Sequence, residues 1–356
     1  MGAMATARSL TDAWRLGSLE VPNRVMLAPL AGIGNWFVRL QAKRYGAGMA
    51  VSEMLSSHAI HYGNARTCTE MLRIDPRERA AGPVSIQLFG EDPSMMRSAA
   101  ARVTRAGADA IDINMGCPVP KVQKTGAGAA LLGDPARAVA VARAAVEGAA
   151  EEGGARGAGA MGAGGIPVTV KLRSGLRVGE TSGFALAHRL VEEAGVAAIA
   201  FHPRSAAVHH KGAPDYELAA RLVSSLPAPV ILTGGLSDAG RVREAFARTG
   251  AEAVMLARGA LGNPWLFARL VHGREPEPTP EEVLAELDWL TDRAVEHLGE
   301  ERAARYLRKF YPWYVRRLAL SSTEARSLQE SLQTAPTLRR ARALLDPGRR
   351  VLALAV

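Results

Sequence analysis

Cysteine is scarce in this chain, with Cys68 and Cys117 as the two examples among 356 residues. Two cysteines cannot form a disulfide framework, and neither belongs to a CxxC pair of the zinc-binding kind. The sequence also lacks a run of about 20 apolar residues, the length that spans a bilayer. Its first residues, MGAMATARSL, lack the apolar stretch of a secretory signal. These absences predict a cytoplasmic protein without membrane association.

Lysine is also rare, with six residues among 44 basic ones. The formal net charge is +9, and its distribution is uneven towards the C-terminus. Residues 275–301 hold ten acidic residues and one basic residue, whereas residues 302–356 hold three acidic and twelve basic ones. A basic segment of this kind suits a phosphate backbone. A solvated helical face beside an oppositely charged neighbour explains the pattern equally well.

Short β-branched runs alternate with Ala/Leu/Arg stretches of helical period between residues 25 and 271, which is typical of βαβ units around a parallel sheet. Eight strands within about 250 residues favour a TIM barrel over an open doubly wound sheet. The expected fold class is therefore α/β, a (β/α)8 TIM barrel followed by a small all-helical C-terminal domain. The predicted strands are VMLAPL (25–30), MAVSEML (49–55), PVSIQLF (83–89), DAIDIN (109–114), PVTVKLR (167–173), AAIAFH (197–202), PVILTG (229–234) and AEAVMLA (251–257).

The predicted division of the chain is an N-terminal extension over residues 1–20, the barrel over 21–273 and the helical domain over 274–356. The second boundary rests on GREPEPTPEE, a proline-rich acidic stretch whose Thr279-Pro280 pair is a helix-start signal. Beyond this stretch the pattern is amphipathic and helical, with no strand.

Residues 148–165 are almost entirely glycine and alanine and contain a formal GxGxxG at Gly157, Gly159 and Gly162. A dinucleotide motif follows a strand and opens a helix, whereas this stretch follows a predicted helix. We interpret it as a flexible loop at the amino end of the barrel.

The active site of a (β/α)8 barrel lies at the carboxyl ends of its strands. Polar residues follow most of the predicted strands, and each alone has a structural explanation: a buried amide, an interior ion pair or a core histidine. Their convergence on one rim favours a functional site. The candidates are Pro29, Leu30, Ala31, Glu53, Gln87, Asn114, Cys117, Lys171, Arg173, His202, Arg204, Thr233, Gly234, Gly235, Ala257 and Arg258.

Two glycine-containing groups, Thr233-Gly234-Gly235 and Ala257-Arg258-Gly259, follow strands 7 and 8 of the barrel. In this fold these loops often bind phosphate through backbone N–H groups, and an arginine adds a bidentate cation. The alternative is that the glycines serve tight turns alone.

Cys117 lies in the sequence Asn-Met-Gly-Cys-Pro, on the loop after strand 4 at the barrel mouth. A free thiol is mostly protonated near neutral pH and can donate a proton, so we predict a general acid at this position. Cys68, in the polar stretch NARTCTEM, has no such placement and is interpreted as structural. The histidine pairs at 58/61 and 209/210 lack a third ligand at a sensible spacing, so no metal is expected.

These motifs resemble the flavin-dependent tRNA-dihydrouridine synthases, especially the bacterial B-type branch. The resemblance runs from about residue 21 to 273 and is weaker beyond. LAPLAGIGNWFVRL resembles the flavin-loop motif of that family, and the other motifs follow in family order. They are SEM (52–54), QLFG (87–90), DINMGCPVPKV (112–122), GAGAALL (126–132), VTVKLRSG, FHPRS, TGG and ALGNPWLF.

The resemblance implies a barrel that holds FMN, takes electrons from NADPH and reduces the C5=C6 bond of specific uridines in tRNA. Cys117 would be the general acid. The cofactor contacts would come from Pro29, Leu30 and Ala31 along the flavin, Gln87 and Lys171 at its ring edge, His202, and Thr233, Gly234, Gly235, Ala257 and Arg258 around its phosphate. Two positions depart from the family pattern: Thr233-Gly234-Gly235 replaces Asn-Gly-Asp or Asn-Gly-Asn, and Ala257 replaces glycine. We expect FMN to bind, though less tightly.

Residues 305–317, RYLRKFYPWYVRR, interleave basic and aromatic side chains and resemble the family's Arg-Lys-His-x-x-Trp-Tyr helix, with Phe310 in place of histidine. Basic side chains bind the phosphates of unpaired RNA, and aromatic rings stack on its bases. The alternative is that Phe310, Trp313 and Tyr314 build the core of the helical domain. The predicted tRNA contacts are Lys121, Arg173, Arg204, Arg305, Arg308, Lys309, Trp313, Tyr314 and Arg316.

Two other functions stay open from the residues: a flavin barrel that reduces a small molecule, and a non-catalytic tRNA-binding protein that has lost flavin. The basic aromatic segment disfavours the first, and the motif set disfavours the second. A monomer is expected.

Overall fold

The computed structural model of the protein describes residues 8–153, 165–274 and 277–346. Its strands are β1 (Trp14–Leu16), β2 (Leu19–Val21), β3 (Val25–Leu27), β4 (Met49–Ser56), β5 (Val84–Phe89), β6 (Ala110–Met115), β7 (Val168–Arg173), β8 (Ala198–His202), β9 (Val230–Thr233) and β10 (Ala253–Leu256).

The helices of the barrel region are α1 (Trp36–Arg44), α2 (Ser57–His61), α3 (Pro76–Ala80), α4 (Pro93–Ala106), α5 (Pro120–Gln123), α6 (Pro135–Gly153), α7 (Ser182–Ala194), α8 (Tyr216–Ser225), α9 (Ala239–Thr249) and α10 (Trp265–Val271). A π-helical turn covers Arg66–Met71, and 3-10 turns cover Gly128–Gly133 and Arg258–Ala260. The C-terminal helices are α11 (Pro280–Leu298), α12 (Glu300–Leu307), α13 (Tyr311–Val315), α14 (Ser322–Thr334) and α15 (Leu338–Leu345).

Strands β3 to β10 close into a barrel in which every neighbouring pair is parallel, with β10 beside β3. These are the eight strands that the sequence predicts, so the (β/α)8 fold is confirmed. The alternation of side chains sends residues 110, 112 and 114 of β6 into the barrel, because β-strand side chains point to opposite faces in turn. Gln87, Asp112 and Thr169 stand in register on three adjacent strands.

A hairpin of β1 and β2, which the sequence pattern did not reveal, packs against the amino end of the barrel. Trp14 is 4% exposed and clusters with interior residues near the starts of several barrel strands, among them Met26, Met49 and Ala198. Its indole Nε1 donates a 3.1 Å hydrogen bond to the backbone oxygen of Asn23. The hairpin thus closes the amino end of the barrel. Its second strand spans residue 20, where the sequence places the start of the barrel domain, and that domain boundary stays a prediction.

The C-terminal region is helical, as predicted. Helix α11 begins at Pro280 with a capping box, in which Thr279 and Glu282 each satisfy the other's backbone N–H. On the barrel side of this helix, the buried Glu286 accepts hydrogen bonds from Gln41 and Tyr45, at 2.8 and 2.7 Å. The carboxylate therefore ties the helical region to α1.

One sequence prediction, the glycine-rich loop, falls largely outside the described residues. The prediction of a flexible loop over residues 148–165 is wrong for its first part, because residues 148–153 belong to helix α6, which ends at Gly153. The part with Gly157, Gly159 and Gly162 lies in the range that is not described. In the ranges that are described, no helix combines the length and apolar character needed to cross a membrane.

Candidate active site

A cavity of about 1010 Å³ opens at the carboxyl ends of the barrel strands. Its walls hold every residue predicted to bind the cofactor, together with Cys117. Four of the predicted tRNA contacts, Arg173, Arg204, Trp313 and Arg316, also line it. The cofactor residues in the wall are Pro29, Leu30, Ala31, Gln87, Lys171, His202, Thr233, Gly234, Gly235, Ala257 and Arg258.

The floor beside Gln87 rests on Asp112, which the sequence analysis did not single out. This carboxylate is 1% exposed and accepts 2.6 Å hydrogen bonds from the Nε2 of Gln87 and the hydroxyl of Thr169. Burial raises the pKa of Asp112 to about 6. A polar residue at an inward position of the buried strand DAIDIN was the signal that could have identified it.

The Cys117 loop is held from both sides. The Oδ1 of Asn114 accepts hydrogen bonds from the backbone N–H groups of Cys117 and Gly116, at 2.9 and 3.2 Å. The Cys117 carbonyl accepts one from Ala129 at 3.0 Å, and a Cβ on Gly128 would lie 2.9 Å from that carbonyl oxygen. The GAGAALL turn therefore needs glycine where it supports the thiol loop. Cys68 lies on the π-helical turn and is not part of the cavity wall.

Lys171 pairs with Asn114 across β6 and β7, which places both side chains in the layer that faces the cavity. Burial, reinforced by the charge of Arg173, lowers the pKa of Lys171 to about 8. The ammonium is therefore mostly charged at neutral pH but gives up its proton more readily than an exposed lysine.

The His202 ring packs directly over Gly234. A Cβ at residue 234 would stand 2.4 Å from the ring Cδ2, so this position requires glycine. Burial, with the charges of Lys171 and Arg173, holds the pKa of His202 far below its usual range, so the ring is neutral. Its Nε2 accepts a hydrogen bond from Arg204 at 3.2 Å. The neutral ring thus packs beside a charged guanidinium without adding a charge.

The loops after β9 and β10 make a basic, glycine-lined recess. Gly234 and Gly235 have φ of +103° and +79°, and the Tyr216 hydroxyl donates to the Gly234 carbonyl at 2.9 Å. Arg258 is exposed at the end of β10, and Arg241 joins it in the same cavity wall. Bare backbone and arginine together suit a phosphate group. The residues present fit the anionic end of a nucleotide cofactor.

Two arginines predicted to bind tRNA are largely committed to the protein backbone. Arg173 donates from Nε to the Gly116 carbonyl at 2.9 Å and from Nη1 to the carbonyls of Ser205 and His209. Arg204 donates to the Gly212 carbonyl at 2.7 Å. Each guanidinium therefore braces the loops of the rim.

Some of the tRNA contacts predicted in the C-terminal helices lie at the surface, and others lie in the core. Arg305 is exposed and pairs with Glu301, and Arg316 and Trp313 stand at the cavity rim. Tyr314 is 1% exposed, and its hydroxyl accepts a 2.9 Å hydrogen bond from Gln41. The structure thus places Tyr314 in the core, as it does Phe310, in line with the alternative interpretation of these aromatics.

Three further predicted RNA contacts lie outside the cavity. Lys121 is exposed on α5, close to the thiol loop. Arg308 donates to the Ala335 carbonyl at 3.1 Å, and Lys309 donates to the Gly32 carbonyl at 2.9 Å. Over the described ranges, the histidine, cysteine and acidic side chains form no cluster of three or more that could hold a metal ion.

The barrel and this cavity define a (β/α)8-barrel enzyme whose reactive groups stand at the strand ends. The dihydrouridine synthase family model matches residues 26–346. The chain therefore belongs to the dihydrouridine synthase family.

Curated relatives agree with this assignment, and solved structures share the fold. tRNA-dihydrouridine synthase B of Pseudomonas aeruginosa is 35% identical over 309 residues, which cover 85% of this chain and 86% of that protein. The probable tRNA-dihydrouridine synthase 1 of Synechocystis is 33% identical over 337 residues, covering 93% and 88%. Among solved structures, morphinone reductase superposes with a TM-score of 0.54 at 19% identity, covering 78% of this chain and 93% of that one. The last similarity concerns the barrel fold alone.

Proposed function

We propose that this protein is a tRNA-dihydrouridine synthase that binds FMN, takes electrons from NADPH and reduces uridine in tRNA. The observation that carries the proposal is the single cavity that brings together the Cys117 thiol loop, Lys171 and the basic recess after β9 and β10. A small-molecule flavin reductase would not require the exposed cations and the tryptophan that stand at its rim.

The cavity offers hydrogen-bond donors and positive charges of the kind that the phosphate and the ring of FMN would bind. Arg258 and the backbone of Gly234 and Gly235 would hold the phosphate, and Gln87 and Lys171 would meet the ring. Reduced FMN would supply the hydride that the C6 atom of uridine receives. The Lys171 ammonium would favour negative charge on the ring, which is a protein contribution to cofactor electronics.

The proton for C5 would come from the thiol of Cys117. The N–H of Cys117 donates to Asn114 and its carbonyl accepts from Ala129, so the backbone of Cys117 is held on both sides. The sulfur can therefore move only by rotation of the side chain. A fixed donor facing the substrate is what general acid catalysis requires.

The uridine must leave its stack to enter the cavity, as in other enzymes that act on bases. Trp313 at the rim offers a stacking surface, while Arg316, Arg305 and Lys121 offer exposed cations for phosphates. Arg173, Arg204 and Arg308 would mainly hold backbone carbonyls in place. Tyr314 is buried and would not contact RNA. The division at residues 20 and 273, the monomeric state and the cytoplasmic location stay predictions.

The test uses purified protein, FMN, NADPH and tRNA from a strain that lacks dihydrouridine. We expect a yellow protein that oxidises NADPH and forms dihydrouridine. The Cys117→Ala variant should keep flavin reduction and lose dihydrouridine formation, while the matched Cys68→Ala variant should keep both.

A protein that takes up no FMN would refute the proposal. Equal loss of both half-reactions in Cys117→Ala would refute the acid role. Oxidation of the reduced flavin by a small enone but not by tRNA would favour the alternative barrel reductase.

A further inference from the structure

The loop of residues 29–34, which follows β3, forms one wall of the cavity, and the helical region holds it from behind. The buried hydroxyl of Tyr306 donates a 2.7 Å hydrogen bond to the Ile33 carbonyl. The ammonium of Lys309, one turn further along, donates a 2.9 Å hydrogen bond to the Gly32 carbonyl. Two neighbouring carbonyls of this loop thus have partners from outside the barrel.

The barrel holds the same residue, Gly32, through its N–H group. The N–H of Gly32 donates a 2.9 Å hydrogen bond to Oε2 of Glu53, a buried residue of β4 whose pKa is raised by burial. Gly34 packs against the backbone of that residue, since a Cβ on Gly34 would lie 2.8 Å from the Glu53 nitrogen. The position of Gly32 therefore depends on the barrel through its N–H and on the helical region through its carbonyl.

Lys309 is well suited to this contact. Its ammonium lies 5.4 Å from the centroid of the Tyr306 ring, so the aromatic face favours the charge at this place. Among the described residues no carboxylate forms an ion pair with it. The neighbouring cation Arg305 differs, because it pairs with Glu301 on its own helix and the structure gives it no hydrogen bond to the loop.

We propose that Tyr306 and Lys309 are positioning residues for the cofactor: they hold the 29–34 loop against the cavity, so that cofactor affinity depends on the helical region before any RNA binds. The inference rests on the proposed function for the identity of the cofactor. It gives Lys309 a second task beside RNA binding, since two of the three ammonium donors are still available to phosphates.

The experiment compares Lys309→Met, Tyr306→Phe and the matched control Arg305→Met. Lys309→Met and Arg305→Met each remove one exposed cation from the same helical segment, and Tyr306→Phe removes a single hydroxyl. The dissociation constant of FMN is measured without RNA, by quenching of flavin fluorescence. Loss of one hydrogen bond to the loop should weaken FMN about five- to tenfold in Lys309→Met and Tyr306→Phe. Arg305→Met should stay within about twofold of the wild type, although both cation variants weaken RNA binding.

A second measurement is independent of flavin. Hydrogen exchange of the Ile33 and Gly34 amides, which both bond to the Leu30 carbonyl, reports on the loop directly. We expect faster exchange in Lys309→Met than in Arg305→Met, with equal melting temperatures for the two. Equal exchange and equal FMN affinity in these two variants would overturn the inference. A wild-type protein that binds no FMN would instead refute the proposed function, and the exchange data would still decide on the loop.

Discussion

The Nε2 of Gln87 donates a 2.6 Å hydrogen bond to Oδ2 of Asp112, inside the barrel and directly beneath the cavity. An ionised carboxylate only accepts hydrogen bonds, so the amide nitrogen faces Asp112 and the amide oxygen accepts from Asn114 at 3.0 Å. One N–H of Gln87 is left over. The barrel interior thus fixes the orientation of the Gln87 amide, with its nitrogen towards Asp112 and its oxygen towards Asn114.

Asp112 should give the folded protein a measurable pH dependence. Its pKa of about 6 lies above the value of an unfolded aspartate, so the folded state binds the proton first as the pH falls. The contribution is fully present below the unfolded pKa and is lost as the pH rises through about 6. Between pH 7 and pH 5 the free energy of unfolding of the wild type should gain about 1 kcal/mol relative to Asp112→Asn. Urea unfolding at both pH values measures this difference, and a constant difference would contradict the prediction.

Gly234 should tolerate no side chain, because of its contact with His202. Gly234→Ala and the control Gly179→Ala both place alanine at a positive φ, of +103° and +83°, but only the first brings a Cβ against the histidine ring. The shared backbone strain costs about 1 kcal/mol, and the clash should add about 1–3 kcal/mol in Gly234→Ala. Melting temperature and flavin content measure the outcome. Similar losses in the two variants would show that the ring contact is unimportant.

Glu286 should be the main electrostatic tie between α11 and the barrel. The Glu286→Ala change removes the acceptor of Tyr45 and one of the two acceptors of Gln41, and should lower the free energy of unfolding by about 1–3 kcal/mol. Glu281, exposed in the first turn of the same helix, provides the control, and Glu281→Ala should cost less than about 0.5 kcal/mol. Urea unfolding followed by tryptophan fluorescence separates the two. A small effect at Glu286 would mean that other contacts, such as apolar packing and the Arg77–Glu296 ion pair, hold the helix.

RNA should bind at the carboxyl face of the barrel, where Arg316 lines the rim. Replacing Arg316 by alanine should reduce the slope of log affinity against log salt by about 1, the value for one phosphate contact. Arg15, exposed on the hairpin at the amino end, is the matched control and should leave the slope unchanged. Fluorescence anisotropy of labelled tRNA at several salt concentrations measures both. A larger change for Arg15 would place the RNA on the opposite face.

The barrel strands and the residues at their ends could be predicted because both depend on local patterns. Buried parallel strands are short continuous apolar runs, and the carboxyl ends of such strands share one edge. Lys171 and Cys117 therefore reach the same cavity although 54 residues separate them in the sequence.

The hairpin and Asp112 escaped prediction for different reasons. Strands of three residues, such as β1 and β2, are too short to show a period, and tertiary packing at the barrel end makes them regular. Asp112 stands within a predicted strand rather than at its end, and its role depends on partners from two other strands. Hydrogen bonds between strands are invisible in the sequence of any one of them.

The neighbours Trp313 and Tyr314 show the same limit at the level of one helix. Both are aromatic and both lie among arginines, so composition assigns them the same role. On a helix, adjacent residues point about 100° apart, which turns Trp313 to the cavity rim and Tyr314 towards Gln41. Composition alone therefore cannot decide which of the two meets a ligand.

The Trp14 hairpin also bears on the order of events in catalysis. Side chains fill the barrel interior and the hairpin covers its amino end, so the cavity is reached from the carboxyl end, where the rim residues stand. On the proposed function, the nicotinamide and the tRNA must then use the same entrance, and each must leave before the other enters. The kinetics should accordingly be of the double-displacement type, with parallel lines in a double-reciprocal plot and inhibition by an excess of either substrate.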